Sequence, residues 1–314
     1  MEASAVRSQV WLPKRVQSGL YAYVRFLRSR GARRIEAFEN HVGQSHPPTY
    51  GDPVKFVISI LLCLLTQASV SGMSNEERFQ ELMSLNWSEA YSDSCTGNWQ
   101  DGWFLDGLRA KVDNTPKGMI LSAGPIERDH ASHCVLWTKQ SFEGDVKIEY
   151  DYWRLDTIQK YVNIIYIQAT GTEEGPYTKD IAEWADLREV PYMRSYFNNM
   201  KTLHISYAAF GAKDSEDEYV RARRYPTRPD LKFNELDIPP DNFKTGLFKP
   251  GVKHHFTIIK RGHKLLFRIA TDEKTSVFTW DTSAFDLITE GRIGLRQMWT
   301  RCSRYANFEV STLK

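Results

Sequence analysis

Three sets of residues in this sequence could act together on one substrate. Glu149 and Asp151 stand two apart in the strictly alternating run 145–152. With Val146 and Ile148 turned to a core, they share the opposite face with Lys147. A rise of about 3.3 Å per residue sets them about 7 Å apart, inside the roughly 6.5–9.5 Å that an inverting pair of glycosidase carboxylates spans. Arg221 and Arg223 share one face of another strand, against Val220 and Ala222, and Arg296 turns away from Ile293 and Leu295. Guanidinium forks grip carboxylates and sulfates, so a groove lined by these three suits a uronic-acid or sulfated polysaccharide. The competing use is internal pairing with Asp214, Glu216, Asp217 or Glu218 on the adjacent acidic turn. His204 and Tyr207 lie in opposite phases of a short strand, so one of them is expected to reach the groove. Beside an arginine, either is the equipment of β-elimination: the cation lowers the cost of an enolate-like intermediate, and the imidazole or phenol takes and returns the proton.

Aromatic rings supply the stacking surface that saccharides use. Trp137, Trp153, Trp184, Trp299 and Tyr166 are candidates. Trp184 sits in a long connection and Trp299 lies beyond Arg296, which favours those two over strand-core positions. Asn198 and Asn199, just ahead of His204, add neutral amide contacts. The stretch from His130 through His133 to Cys134 has no helix and no remote ligand set, so a turn leading into a strand is expected there rather than a metal site. No cofactor is expected; loop carboxylates in a β-sandwich can hold a structural calcium, but no D-x-D-x-D-G loop occurs to indicate one.

These groups need a scaffold of strands. Short β-type runs separated by turn signals occupy 145–152, 161–170, 203–210, 218–224, 255–260, 264–270, 277–280, 292–299 and 305–312. Arg261, Gly262 and His263 make a hairpin of two of them. The pattern predicts an all-β, two-sheet antiparallel sandwich with a short N-terminal helix over 74–85, where Phe79, Leu82 and Met83 share a side. One long insertion, 172–200, contains a helical run through Trp184 and a stop at Pro191. Its density of aromatic residues predicts a packed lid or cleft wall.

The chain has 314 residues with a formal net charge of +2, and neither a zinc-finger nor a basic-helix spacing, so no nucleic-acid partner is expected. Residues 1–53 are rich in arginine and carry no sustained period. They precede an apolar run, 54–65, and a stretch of small residues, 66–72. That layout is a secretory signal, too short to span a bilayer, so the mature domain is not expected to insert in a membrane. The expected organisation is an unstructured extension over 1–53 that precedes the true start at Val54, a signal peptide over 54–72, and one sandwich domain over 73–314. Export would place the domain in the periplasm or outside the cell, whereas a start at Met73 would leave it cytoplasmic. Cys95, Cys134 and Cys302 then permit one disulfide at most.

The runs VLWTK at 135–139, FEGDVKIEYDY at 142–152, HISYAA at 204–209, RARRY at 221–225 and EGRIGLR at 290–296 resemble the YesU-like family, also known as domain of unknown function 1961. The resemblance covers roughly 87–310. It implies a concanavalin A-like (jelly-roll) sandwich and a setting of bacterial polysaccharide use, rhamnogalacturonan included, but it brings no reaction. Glu149-Tyr150-Asp151 resembles the first half of the E-x-D-x-(x)-E strand of laminarinase-type hydrolases, while Trp153 and Arg154 stand where the third acid would be. The reading is therefore an exported protein acting on an acidic plant or algal polysaccharide or oligosaccharide, as glycoside hydrolase or polysaccharide lyase. Its groove is expected to be shared by the strands bearing Glu149, His204, Arg221 and Arg296. A non-catalytic lectin-like module is the alternative.

Overall fold

A computed structural model describes residues 72–211, 217–227 and 233–313, all within the compact unit Ser71–Lys314. The expected extension and all but the last residue of the expected signal peptide lie outside the described residues. Helix α1 (Asn75–Met83) starts at a capping box: the Ser74 hydroxyl accepts from the Glu77 backbone N–H at 3.2 Å, and the Glu77 carboxylate accepts from the Ser74 N–H at 2.7 Å. Its apolar side buries Phe79 and Leu82 against Ile259 and Leu266.

Fifteen strands follow among the described residues, all paired antiparallel. The eight-stranded sheet runs β13 (Thr275–Asp281), β12 (Lys264–Ala270), β11 (Lys253–Arg261), β6 (Val146–Arg154), β15 (Cys302–Leu313), β4 (Gly118–Ser122) and β3 (Lys111–Thr115), with β1 (Trp87–Asp93) also on β15. The seven-stranded sheet runs β10 (Asp237–Phe243), β9 (Tyr219–Tyr225), β8 (Met200–Ala209), β7 (Asn163–Gly171), β14 (Glu290–Gln297), β5 (Cys134–Glu143) and β2 (Trp103–Asp106). The two sheets form the expected sandwich. Between them pack Ile148, Tyr150, Tyr152, Phe256, Phe267 and Tyr305 from one side and Ile165, Ile205, Tyr207, Ala222, Ile293 and Leu295 from the other. Strict alternation on β6, β8, β9 and β14 produces this layer, as the sequence pattern requires.

Strands β1, β2, β3, β4 and β10 are additional to the sequence reading. Most are half-exposed and polar, and β10 holds Pro239 and Pro240, which an edge strand tolerates because one side needs no N–H donors. Conversely, Trp299 falls in the turn after β14. Among the described residues no helix is long and apolar enough to cross a membrane. Cys95, Cys134 and Cys302 are all free thiols.

Candidate functional site

The outer face of the seven-stranded sheet carries two adjacent rows fixed by strand register. One runs Phe104, Trp137, Gly294, Tyr166, His204, Arg223, Asp237 across β2, β5, β14, β7, β8, β9 and β10. The next runs Asp106, Val135, Arg296, Ile164, Ser206, Arg221. Glycine is required at 294: a Cβ there would stand 2.4 Å from Trp137 Cζ3. Its absence lets the indole lie across β14 and stack on Tyr166, centroids 5.3 Å apart and planes at 18°.

These rows bring together His204, Tyr166, Arg221, Arg223 and Arg296 from four strands. His204 is fully buried, and neither ring nitrogen has a hydrogen-bond partner. Tyr225 meets it edge-on at 4.7 Å and Tyr166 at 5.9 Å; the hydroxyls of Tyr225 and Ser206 are likewise buried without partners, while the Tyr166 phenol faces the Arg296 guanidinium. Arg296 is 0% exposed; Nη2 donates to the Pro191 carbonyl at 3.0 Å, Nε and Nη1 are unpartnered, and no carboxylate pairs with it among the described residues. Arg221 and Arg223 do have counter-ions on β10: Arg221 pairs with Asp241 and Asp237, and Arg223 with Asp237, while Asp217 turns to Lys244 and Glu218 to Thr245, and Asp214 and Glu216 lie outside the described residues. Three guanidiniums thus face two carboxylates. Burial, then the charges of Arg223, Arg296 and Arg221, hold His204 well below the ordinary imidazole range and so neutral. Burial pushes the Tyr166 phenol up to about 12 against the pull of Arg296, and Tyr225 rises too.

The insertion covers this face. After the kinked helical segment Ile181–Arg188 comes helix α2 (Met193–Asn199), whose Tyr196 stacks over Tyr166 at 5.9 Å and lies 4.5 Å under the Arg296 guanidinium. Asp106 anchors it. This carboxylate, buried on edge strand β2, accepts from Arg188 Nε at 2.7 Å, Trp137 Nε1 at 2.8 Å and Tyr196 Oη at 3.0 Å. Trp184, 2% exposed, sits against Arg188 at 4.1 Å and gives its indole N–H to Thr178 O. It is a packing residue of the cover rather than an open sugar platform.

Several expected site residues lie elsewhere. Glu149 and Asp151 do share one face, but it is the outer face of β6 in the other sheet, so the single trough joining them to His204, Arg221 and Arg296 does not form. Asp151 accepts from His255 and Asn307 and pairs with Lys253, which holds its carboxyl down to about 2 despite burial; Glu149 pairs with Lys147. Tyr207 turns into the inter-sheet core, 3.3 Å from the Tyr305 hydroxyl, leaving His204 as the member of that pair on the outer face. Trp153 is on the eight-stranded sheet beneath Arg304. Asn198 accepts from Thr227 Oγ1 at 2.6 Å and edges an open cleft of about 540 Å³ lined also by Lys179, Lys201 and Glu290; Asn199 donates to Ser195 O. Trp299 stands at the other end of the rows, 4.1 Å from the His133 ring. Among the described residues no group of three or more His, Cys, Asp or Glu side chains could hold a metal ion.

Sequence reasoning missed Tyr225, Asp237, Asp106 and Tyr196. Tyr225 carried a signal, being in phase with Arg221 and Arg223; the other three depend on partners distant in sequence.

A family profile described as "Domain of unknown function (DUF1961)" matches residues 96–310. No curated protein matches the sequence. Among solved structures, a protein of unknown function with a galectin-like fold from Bacillus subtilis superposes with a TM-score of 0.54, 16% identity, 73% of this chain and 100% of the other covered. A legume lectin-like domain from Entamoeba histolytica gives 0.48 at 11% identity, covering 72% and 99%. The carbohydrate binding module CBM66 from Bacillus subtilis gives 0.38 at 12% identity, covering 67% and 96%. The first establishes a likeness of fold, and the other two are more distant in shape.

Proposed function

Starting from the fact that the chain belongs to the DUF1961 family, whose description names no reaction, we propose that it is a carbohydrate-active protein that takes an acidic saccharide on the outer face of its seven-stranded sheet. One observation carries the reading. Among the described residues Arg296 is buried without a counter-ion, beside a neutral imidazole and the Tyr225 phenol, neither of which has an internal hydrogen-bond partner. Each buried, unpaired polar group costs about 1–3 kcal/mol. A cluster of them in a domain stable by roughly 5–15 kcal/mol points to a ligand that completes it.

Elimination fits this geometry better than hydrolysis. Glu149 and Asp151 are on the other sheet, and Asp237 and Asp241 are committed to Arg223 and Arg221. A uronate carboxylate on Arg296 would have its developing enolate charge stabilised there. Its negative charge would also raise the basicity of His204, which takes the proton from the carbon next to the carboxylate. Tyr166 or Tyr225, protonated at ordinary pH, gives its proton to the leaving glycosidic oxygen as the C–O bond breaks and the C=C bond forms. Access requires the Tyr196 ring to leave Arg296 and Tyr166. A second reading, a scaffold whose groove is filled by its own insertion, is favoured by the seating of Trp184 and Tyr196 over the rows.

The test is incubation of the purified chain with rhamnogalacturonan, alginate, ulvan and carrageenan. New reducing ends together with near-ultraviolet absorbance of an unsaturated uronide indicate a lyase, and reducing ends alone indicate hydrolysis. Retention on the polysaccharide with neither signal indicates a lectin-like module. Neither product nor retention leaves the self-filled scaffold. Export, proposed from the 54–72 stretch, is tested by the intact mass of the native protein, and a product retaining Met1 would end it.

A further inference from the structure

Alternation continues the outer-face rows past Arg296 to His133, just before β5, and to the turn that follows β14. There His133 and Trp299 lie with ring centroids 4.1 Å apart, and His130 stacks on His133 at 5.6 Å and packs on Tyr192 at 4.2 Å. His133 is 1% and Trp299 8% exposed, yet His133 Nδ1 and the Trp299 indole N–H have no hydrogen-bond partner. Tyr192, by contrast, is open to solvent. Burial, then the charges of Arg296 and His130, depress the His133 imidazole to about 2, so the ring is neutral and the Arg296 charge reaches this cluster. Pro191, whose carbonyl accepts from Arg296, is the neighbour of Tyr192, so the two places are joined through backbone as well.

We infer that the His133–Trp299 shelf is a second saccharide position, holding the sugar unit next to the one whose carboxylate is on Arg296; this rests on the reading of Arg296 above. The exposed Tyr192 ring offers a face for the apolar side of a pyranose, while the packed Trp299 contributes its unpartnered indole N–H, which with His133 Nδ1 makes two directional contacts for sugar hydroxyls. Trp299, Tyr192 and the neutral His133 carry no charge, so the shelf takes a neutral unit of the chain and selects for length rather than for charge.

The experiment is a titration, followed by NMR to reach weak affinities, of the full chain with galacturonate and with a dimer and trimer in which neutral rhamnose alternates with galacturonate. Binding of the monomer reports on Arg296, and the gain from monomer to trimer reports on the shelf. In the wild type the gain is expected to be at least roughly tenfold. Tyr192→Ala, at an exposed position, and Trp299→Phe, which keeps a ring and removes the N–H, should each cut trimer affinity by about three- to tenfold and leave the monomer unchanged. A monomer that binds with no gain on lengthening, or variants that leave the trimer unaffected, would overturn the shelf alone. A monomer that fails to bind would overturn the Arg296 reading and the shelf with it.

Discussion

Replacing His204 by phenylalanine should stabilise the protein and abolish its work on saccharide. The imidazole is fully buried with neither nitrogen paired, so the fold bears its desolvation without return. A flat apolar ring in the same edge-on contacts to Tyr225 and Tyr166 removes that cost, for an expected gain of about 1–2 kcal/mol at pH 7, or roughly 2–8 °C in Tm for a domain of this size. Linkage adds a second signature. His204 is held neutral in the folded state, its pKa well below the ordinary imidazole value of 6.5, whereas the unfolded chain takes up a proton there as pH falls. Stability therefore rises with pH up to about 6.5 and is lost below it. At pH 5 the wild type should have given up about 2 kcal/mol through this group, so the advantage of His204→Phe should widen by that amount between pH 7 and pH 5. Urea denaturation at both pH values measures the two numbers. A variant no more stable than wild type at pH 7, with a gap that does not widen at pH 5, would show that the imidazole has a partner in solution and would remove the ground for a ligand site around it. His204→Met serves if the larger ring overpacks the row.

The cover should depend on a single carboxylate. Asp106→Ala leaves the Arg188 guanidinium buried and unpaired, for an expected loss of about 3–5 kcal/mol, while Asp106→Leu combined with Arg188→Leu should recover most of it; chemical denaturation of the three proteins decides. Gly294→Ala forces Trp137 off Tyr166, which should cost about 1–3 kcal/mol and alter the near-ultraviolet circular dichroism. Glu149→Gln should leave retention on an acidic polysaccharide unchanged, because it changes the other sheet, whereas Arg296→Gln should abolish retention; affinity electrophoresis reads both. Acid should also unfold the domain through His133, His204 and His254, all held below their ordinary values by burial first. Tm should fall steeply from pH 6.5 to 5, with His204→Phe showing a shallower decline.

What could be read from the sequence was whatever a single strand decides. A period of two settles which neighbours share a face, and so the pairings of Glu149 with Asp151 and Arg221 with Arg223, and the opposition of His204 to Tyr207, all appear in the structure as read. The sandwich was legible too, through the number of short strands and the family runs, since hydrophobic alternation repeated along the chain leaves few other ways to bury two sheets. Which sheet a strand joins is another matter. β6 pairs with β11 and β15, more than a hundred residues away, while β8 pairs with β7 and β9. Nothing local to Glu149 distinguishes those outcomes, and so the carboxylates and the arginines were assigned one groove when the sheets turn them to opposite sides. The counter-ions were beyond reach for the same reason: Asp237 and Asp241 flank a Pro-Pro pair that does not announce a strand, and Asp106 acquires its meaning from Arg188 and Tyr196, residues 82 and 90 positions on. Residue types and faces are set by neighbours along the chain, whereas the meeting of Arg296, His204 and the covering Tyr196 is set by long-range pairing and burial, which exist only once the chain has folded.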